Sequence, residues 1–161
     1  MKIGLIGVNS QFVHSNLAIY YLREELPDSW EGELCEYNQN EPILKIFSDI
    51  MDHGFDAVAF SVYLWNKETV IKLTKLIRAA NKDMIIILGG PEPTYGPKAF
   101  PVYDYIVYGA LEPVWGCLLE RLAQGQAADD LPGVNGEIAF VSEWKFPYRE
   151  EDLPRLENKL V

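Results

Sequence analysis

Along the chain, short apolar runs without polar alternation trade places with segments whose apolar residues recur at helical spacing. Ile3-Gly4-Leu5-Ile6-Gly7-Val8 is the first run, and its lack of a two-residue period predicts a central parallel strand covered on both faces. Ser15 stands where it could cap a helix that places Leu17, Ala18, Tyr21, Leu22 and Leu26 on one face and stops at Pro27-Asp28. Glu33 to Tyr37 reads as a weaker second strand. Asn40-Glu41-Pro42 then supplies a cap and an early proline for a second helix with Ile43, Ile46, Phe47, Ile50 and Met51, stopped by Gly54.

The same alternation continues. Ala57-Val58-Ala59-Phe60-Ser61-Val62 predicts a third strand, after which Asn66 caps a helix burying Val70, Leu73, Ile77 and Ala80. Met84 to Leu88 predicts a fourth strand, leading into Gly89-Gly90-Pro91, and Tyr105-Ile106-Val107-Tyr108 a fifth, ended by Gly109. Glu112-Pro113 opens a helix with Val114, Leu118, Leu119 and Leu122, closed by Gly125. Strands separated by helices imply right-handed crossovers, so the fold class is α/β: a flavodoxin-like or Rossmann-like open parallel sheet of about five strands with helices on both faces. Residues 1–125 are expected to form this domain. From 126 to 161 the periodicity fades; Leu131-Pro132-Gly133 reads as a turn and Ile138 to Val141 as a candidate edge strand, within a linker toward a further domain.

Composition narrows the function classes. The 161 residues suit one compact domain, and 24 acids against 14 Lys and Arg give a formal charge of −10, which argues against nucleic-acid binding by a broad basic face. Cys35 and Cys117 are too far apart in sequence for a short metal-ligand or redox motif and too few for a disulfide scaffold. They point to a reducing cytoplasm, and no protein metal site is expected. No apolar stretch approaches the ~20 residues of a membrane span, and no export signal opens the chain, so neither membrane nor secretion enters the reading.

Ligands of open parallel sheets sit outside the carboxyl ends of the strands, near the switch in strand order. That rule selects the loops Asn9 to Asn16, Tyr63 to Asn66, Gly89 to Gly96 and Gly109 to Glu112. At Gly89-Gly90 two readings stand: close approach of a ligand to bare backbone, or a tight turn before Pro91. Gly4-x-x-Gly7 does not complete G-x-G-x-x-G, and no G-x-x-x-x-G-K-[ST] occurs, so neither familiar nucleotide loop is supported. His14 could serve as ligand, acid, base or hydrogen-bonding group, with the last favoured because no second ligand is near it; His53 reads as a cation at a helix C-terminus. Ser61-Val62-Tyr63-Leu64-Trp65-Asn66 could pack against a flat ring system, or Tyr63 and Trp65 could cover the sheet's end or a neighbouring domain. Asn66 reads as a helix cap. Pro91, Glu92, Thr94 and Tyr95 extend the glycine loop without specifying chemistry.

The order of these motifs, with Ser61-Val62-Tyr63-Leu64-Trp65-Asn66 after the third strand, Gly89-Gly90-Pro91-Glu92 after the fourth and Tyr105-Ile106-Val107-Tyr108-Gly109 in the fifth, resembles the N-terminal cobalamin-binding domain of B12-dependent radical SAM proteins. Asn9, His14-Ser15-Asn16-Leu17 and Tyr21-Leu22 resemble that family's first loop and helix. The resemblance spans about residues 1 to 125. It implies that the corrin lies over the strand ends, with Ser61, Gly89 and Gly90 beside the nucleotide tail or corrin and His14, Tyr63, Leu64 and Trp65 approaching the ring. By the same resemblance Asn9, Pro91, Glu92, Gly109 and Glu112 belong to the cofactor site.

Three departures qualify what it implies. The Asp-x-His-x-x-Gly pattern, whose histidine replaces the lower axial base, is absent around His14, where Phe12 and Leu17 stand, so no histidine bond to cobalt is expected. Cys-x-x-x-Cys-x-x-Cys is absent too, so S-adenosylmethionine and a 4Fe-4S cluster would belong to a downstream radical SAM barrel, toward which Trp144-Lys145-Phe146-Pro147-Tyr148 and Asp152-Leu153-Pro154 resemble a connector. The loop Gly109-Ala110-Leu111-Glu112 also replaces a Gly-Glu-Gly-Glu run common in relatives. The function this resemblance implies is therefore a cobalamin-binding module, not catalytic alone, of a radical SAM enzyme of the methyltransferase class. The alternatives are a flavin- or nucleotide-binding flavodoxin-like protein, weakened by the lack of a Ser/Thr-rich phosphate loop, and a ligand-free interaction domain of receiver type, weakened by the lack of carboxylates after the first strand.

Overall fold

The computed structural model describes residues 1–10, 15–109, 112–136, 147–157 and 159, and for Glu112 and Pro113 the backbone only. The elements run β1 (Lys2–Asn9), α1 (Leu17–Glu24), β2 (Glu31–Asn38), α2 (Ile43–Asp52), β3 (Ala57–Ser61), α3 (Lys67–Ala80), β4 (Ile85–Gly89), α4 (Pro91–Tyr95), β5 (Tyr105–Ile106), α5 (Glu112–Ala123) and α6 (Leu153–Leu156). Among the described residues the neighbouring strands all pair in parallel, in one five-stranded sheet of order β2-β1-β3-β4-β5. This is the flavodoxin-like order, and its switch point lies between β1 and β3.

The apolar runs are strands because both of their faces are buried. Ile3 and Leu5 of β1, with Ala57, Ala59 and Ile87, meet Ile19, Tyr20 and Leu22 of α1 and Trp115, Leu118 and Leu119 of α5. On the other face Ile6, Val8, Val58, Phe60, Ile86 and Leu88 meet Ile46 and Ile50 of α2 and Val70, Leu73 and Ile77 of α3. Two indoles lock the first layer from inside: Trp115 Nε1 donates to the carbonyl of Leu22 at 2.9 Å, and Trp30 Nε1 to that of Leu119 at 2.8 Å. A buried indole N–H needs such a partner.

Several local expectations are corrected. Ser15 does not cap α1; its hydroxyl pairs with that of Tyr148 at 3.1 Å, and Asn16 occupies the cap position without a side-chain cap bond. The buried face of α1 is Ile19, Tyr20 and Leu22, while Leu17 is exposed and Tyr21 only half-buried. Contact with the sheet sets this rotation: Asn16 lies so close to Gly7 that a Cβ on the glycine would come within 2.8 Å of the asparagine's own Cβ. Ala80, the last residue of α3, is exposed, and the buried face of the helix ends at Ile77. The Gly89 to Gly96 loop contains the short helix α4.

The fifth strand is shorter than its apolar run. Only Tyr105 and Ile106 pair with β4, whereas Val107 forms an antiparallel bridge with Val134. The turn around Gly133 clips onto this edge: Asn135 Oδ1 accepts from the Ile106 amide, the Asn135 amide donates to the Ile106 carbonyl, and the Tyr108 amide to that of Gly133. The candidate edge strand Ile138 to Val141 lies outside the described residues.

Residues 147–157 return to the domain and pack on α1 and β2. Arg23 makes a two-pronged ion pair with Asp152 at 2.6 and 2.7 Å, Tyr148 lies against the ring of Tyr20, and Arg155 donates to the carbonyl of Leu34.

Candidate functional site

The C-terminal ends of β3 and β4 are held together by backbone and by one asparagine. The Val62 amide donates to Gly89 and its carbonyl accepts from Glu92. Asn66, fully buried, donates from Nδ2 to the carbonyls of Val8 and Ser61, both at 3.0 Å, while its Oδ1 accepts from the Tyr63 amide at 2.9 Å. It begins α3 as expected, yet its side chain ties β1 to β3 across the switch point instead of capping the helix.

Gly90 adopts φ +104°, and a Cβ there would stand 2.6 Å from the Val62 carbonyl oxygen. Glycine is required by this backbone crossing, and the same turn starts α4 at Pro91. Thr94 completes the frame, donating its hydroxyl to the Gly90 carbonyl at 2.8 Å and accepting from the Gly109 amide at 3.1 Å.

This frame leaves a cavity of about 320 Å³, floored by Ser61, Gly89 and Gly90, walled by Ala18 and Leu22 of α1 and by Ala59 and Ile87, and bounded by Pro91, Thr94, Tyr95, Tyr63 and Gly109. Six of the residues singled out from sequence as cofactor-binding converge here: Ser61, Tyr63, Gly89, Gly90, Pro91 and Gly109. Leu64 and Trp65 do not line the cavity. Both are exposed outside it, and Trp65 stacks on Tyr63 with ring centroids 4.6 Å apart. Tyr95, 82% exposed, adds a further aromatic at the mouth.

Glu92 and Asn9 also lie outside the lining. Glu92 pairs with Lys67 at 2.8 Å, which holds the start of α3 against α4. Asn9 donates to Glu36 Oε1 at 3.1 Å. Glu112 opens α5; its side chain, like all of His14, lies outside the described residues. Thr94 and Tyr95 stood in the candidate glycine loop without being assigned as contacts; Ala18, Leu22, Ala59 and Ile87 were not singled out as contacts at all, and small or apolar residues of this kind carry no chemical signature in sequence. Only the packing of α1 over the strand ends marks them.

Glu36 is the electrostatic centre beside the first loop. Its carboxylate accepts from the Asn16 amide at 2.9 Å, the Tyr20 hydroxyl at 2.9 Å, Asn9 and the Lys159 ammonium at 3.1 Å. Burial alone would raise its pKa, but these donors outweigh it and hold the carboxyl below the usual glutamate range. Asn16, itself buried, finds no hydrogen-bond partner for its Oδ1 among the described residues. Neither cysteine is a nucleophile of this site: Cys35 is buried on β2, where burial and then the Glu33 carboxylate push its thiol up to about 12, and Cys117 is exposed on α5.

A larger polar depression of about 670 Å³ lies at the opposite ends of the strands, near the C-terminus of α1. Its arginines are already engaged, Arg23 with Asp152, Arg149 with Glu24 and Glu151, and Arg155 with the Leu34 carbonyl. The geometry of a ligand site belongs to the smaller apolar cavity.

An open 2-1-3-4-5 parallel sheet with a glycine-floored apolar cleft at its C-terminal strand ends defines a cofactor-binding α/β module. Residues 3–114 match the family model described as "B12 binding domain". The chain belongs to this B12-binding domain family, and the flavin-binding and ligand-free alternatives are not favoured.

A 2-(S-pantetheinyl)-carbapenam-3-carboxylate methyltransferase of Streptantibioticus cattleyicolor is 32% identical over 85 residues, which are 50% of this chain and 12% of that protein. The cobalamin-dependent S-adenosylmethionine radical enzyme OxsB, solved with aqua-cobalamin and S-adenosylmethionine bound, shares the fold with a TM-score of 0.72 at 20% identity, over 87% of this chain and 22% of that one. Its apo, selenomethionine-labelled form gives 0.70 at 20% identity over 98% and 24%. The chain thus spans a small fraction of each relative's length. Among the described residues no helix is long and apolar enough to cross a membrane.

Proposed function

We propose that this chain binds cobalamin at the C-terminal ends of β3 and β4 and serves as the cofactor module of a larger radical SAM enzyme of the methyltransferase class. Membership of the B12-binding family, together with a cavity at the position this fold uses for ligands, carries the reading. Under it, S-adenosylmethionine and the 4Fe-4S cluster belong to a downstream domain, the partner of this module.

The residues present fit such a cofactor. A volume of about 320 Å³ is near the lower end of the roughly 300–1,000 Å³ of small-molecule clefts. It suits a flat, largely apolar part of the molecule, leaving the macrocycle over the mouth. Ser61, Gly89 and Gly90 would line the inserted part, with Ala18 and Leu22 excluding water from the α1 side. Tyr63, Leu64, Trp65 and Tyr95 present exposed or half-exposed apolar surface where the ring would lie. Asn66 and the Glu92–Lys67 pair hold these groups in place from outside the cavity, and Thr94 ties Gly90 to Gly109 at its edge. When bound, cobalamin supplies a cobalt centre able to carry a methyl group or an electron; the protein orients and shields it.

The test is retention. The purified chain mixed with hydroxocobalamin and passed through gel filtration should emerge with corrin absorbance. Ala18→Phe, a change on a half-buried helix surface that fills the cavity from its wall, should abolish retention while leaving the melting temperature close to that of the parent. Retention of FMN in place of cobalamin would overturn the reading.

A further inference from the structure

On the sheet face opposite the α1 wall of the cofactor cavity, three different metal-ligating chemistries meet. Glu33 and Cys35 alternate on β2 and so share one side of the strand, toward the end of α2, where His53 follows the last helical residue. A carboxylate oxygen, the thiol sulfur and an imidazole nitrogen all lie within 4.8 Å of one another. A depression of about 390 Å³ opens beside them, wide enough to admit water.

The imidazole is oriented independently of the other two. Nδ1 is 2.6 Å from the carbonyl of Asp49, an acceptor only, so this nitrogen carries the proton. The ring is stacked on Phe55, at 5.1 Å between centroids and 10° between planes. Nε2 is thereby turned to Glu33 Oε1 at 2.9 Å, while Glu33 Oε2 is held by Lys2 at 3.0 Å. A backbone carbonyl fixing one ring nitrogen so that the other faces a carboxylate and a thiol is the outer-shell arrangement of a metal-bound histidine.

We propose that Glu33, Cys35 and His53 form a site for one borderline-soft divalent cation, Zn²⁺ being the best match, with water from the adjoining depression as fourth ligand. Sulfur, nitrogen and oxygen donors together suit zinc, whose bonds of about 2.0–2.3 Å require the three side chains to close in by rotation. Glu33, at the half-exposed edge of β2, has room to do so. One thiolate and one carboxylate neutralise the ion, and the imidazole binds as the neutral ring through Nε2; the thiol proton and the proton that Nε2 shares with Glu33 in the empty site both pass to solvent, and no electron is transferred. The bound ion would fasten the edge strand β2 to the end of α2, independently of cobalamin.

The experiment uses the full chain, stripped of metal and free of cobalamin, titrated with Co²⁺. A thiolate-to-metal charge-transfer band in the near ultraviolet should saturate at one ion per chain and disappear on addition of Zn²⁺. Cys117→Ser should keep the band, Cys35→Ser should lose it, and His53→Gln should weaken Co²⁺ binding at least about tenfold. Absence of the band in the parent chain, its loss in Cys117→Ser, or unchanged affinity in His53→Gln would overturn the proposal. The parent and Cys117→Ser arms do not depend on how well a variant at buried Cys35 folds.

Discussion

Asn66 shows how much one side chain can hold at a switch point. Fully buried itself, it satisfies the carbonyls of Val8 on β1 and Ser61 on β3 and the amide of Tyr63 just beyond β3. Asn66→Asp keeps the acceptor for Tyr63 but sets a carboxylate against the Val8 and Ser61 carbonyls, so thermal or urea unfolding should show a loss of about 2 kcal/mol or more. Gly90→Ala should cost about 1–3 kcal/mol in the same assay, since the new Cβ points into the Val62 backbone at a strained φ. Both residues stood out in the sequence; for Asn66 the reason differs from the first reading, while at Gly90 the turn before Pro91 is there and the crossing of Val62 is added to it. An asparagine before a helix announces a cap, and a glycine pair after a strand announces either ligand approach or a turn. Which backbone each one meets depends on strands brought together from distant parts of the chain, and no local pattern records that.

Among the elements, the segment 147–157 depends on polar pairs at α1. The side chains of Arg23 and Asp152 are 10% and 2% exposed, so Asp152→Asn removes a charge whose partner stays buried, at a cost of about 3 kcal/mol. Hydrogen exchange across 147–157 should report this as lost protection at neutral pH. The pH dependence has a definite sign. The Arg23 guanidinium, helped by the Arg149 amide, holds the Asp152 carboxyl below its ordinary value. Its contribution is therefore complete above the unfolded aspartate pKa of about 3.9 and is lost as pH falls through the lower folded value. Protection of the segment should stay level from neutral pH to about 5 and decline only in the acid range below about 4. Strands and long helices were legible at this scale because burial on two faces or one leaves a period in the sequence. The rotation of α1, the short α4 and the early end of β5 were not, because each is set by a single contact: Asn16 against Gly7, Gly90 across Val62, and Val134 beside Val107.

At the scale of the whole molecule, the sheet order follows from βα alternation and right-handed crossovers, and the site follows from the sheet order. The cavity forms where the loops after β3 and β4 were expected to place it. Its wall on α1 is the part that sequence could not supply, and Ala18→Phe addresses that wall directly. The return of the chain over α1 and β2 escaped the sequence as well, since a few arginines and acids spaced more than a hundred residues apart leave no periodic trace.

The two outer strands also share a dependence. Arg155 occupies a backbone carbonyl of β2, and Asn135 occupies both the amide and the carbonyl of Ile106 on β5. Each cover comes from residues beyond 125, outside the segment that builds the cofactor cavity. A version cut after Gly125 would retain every described cavity residue yet carry two bare sheet edges, each a template for pairing with another molecule. Its solubility should fail before its cofactor affinity does. Light scattering should show the shortened chain self-associating at concentrations where the full chain remains dispersed.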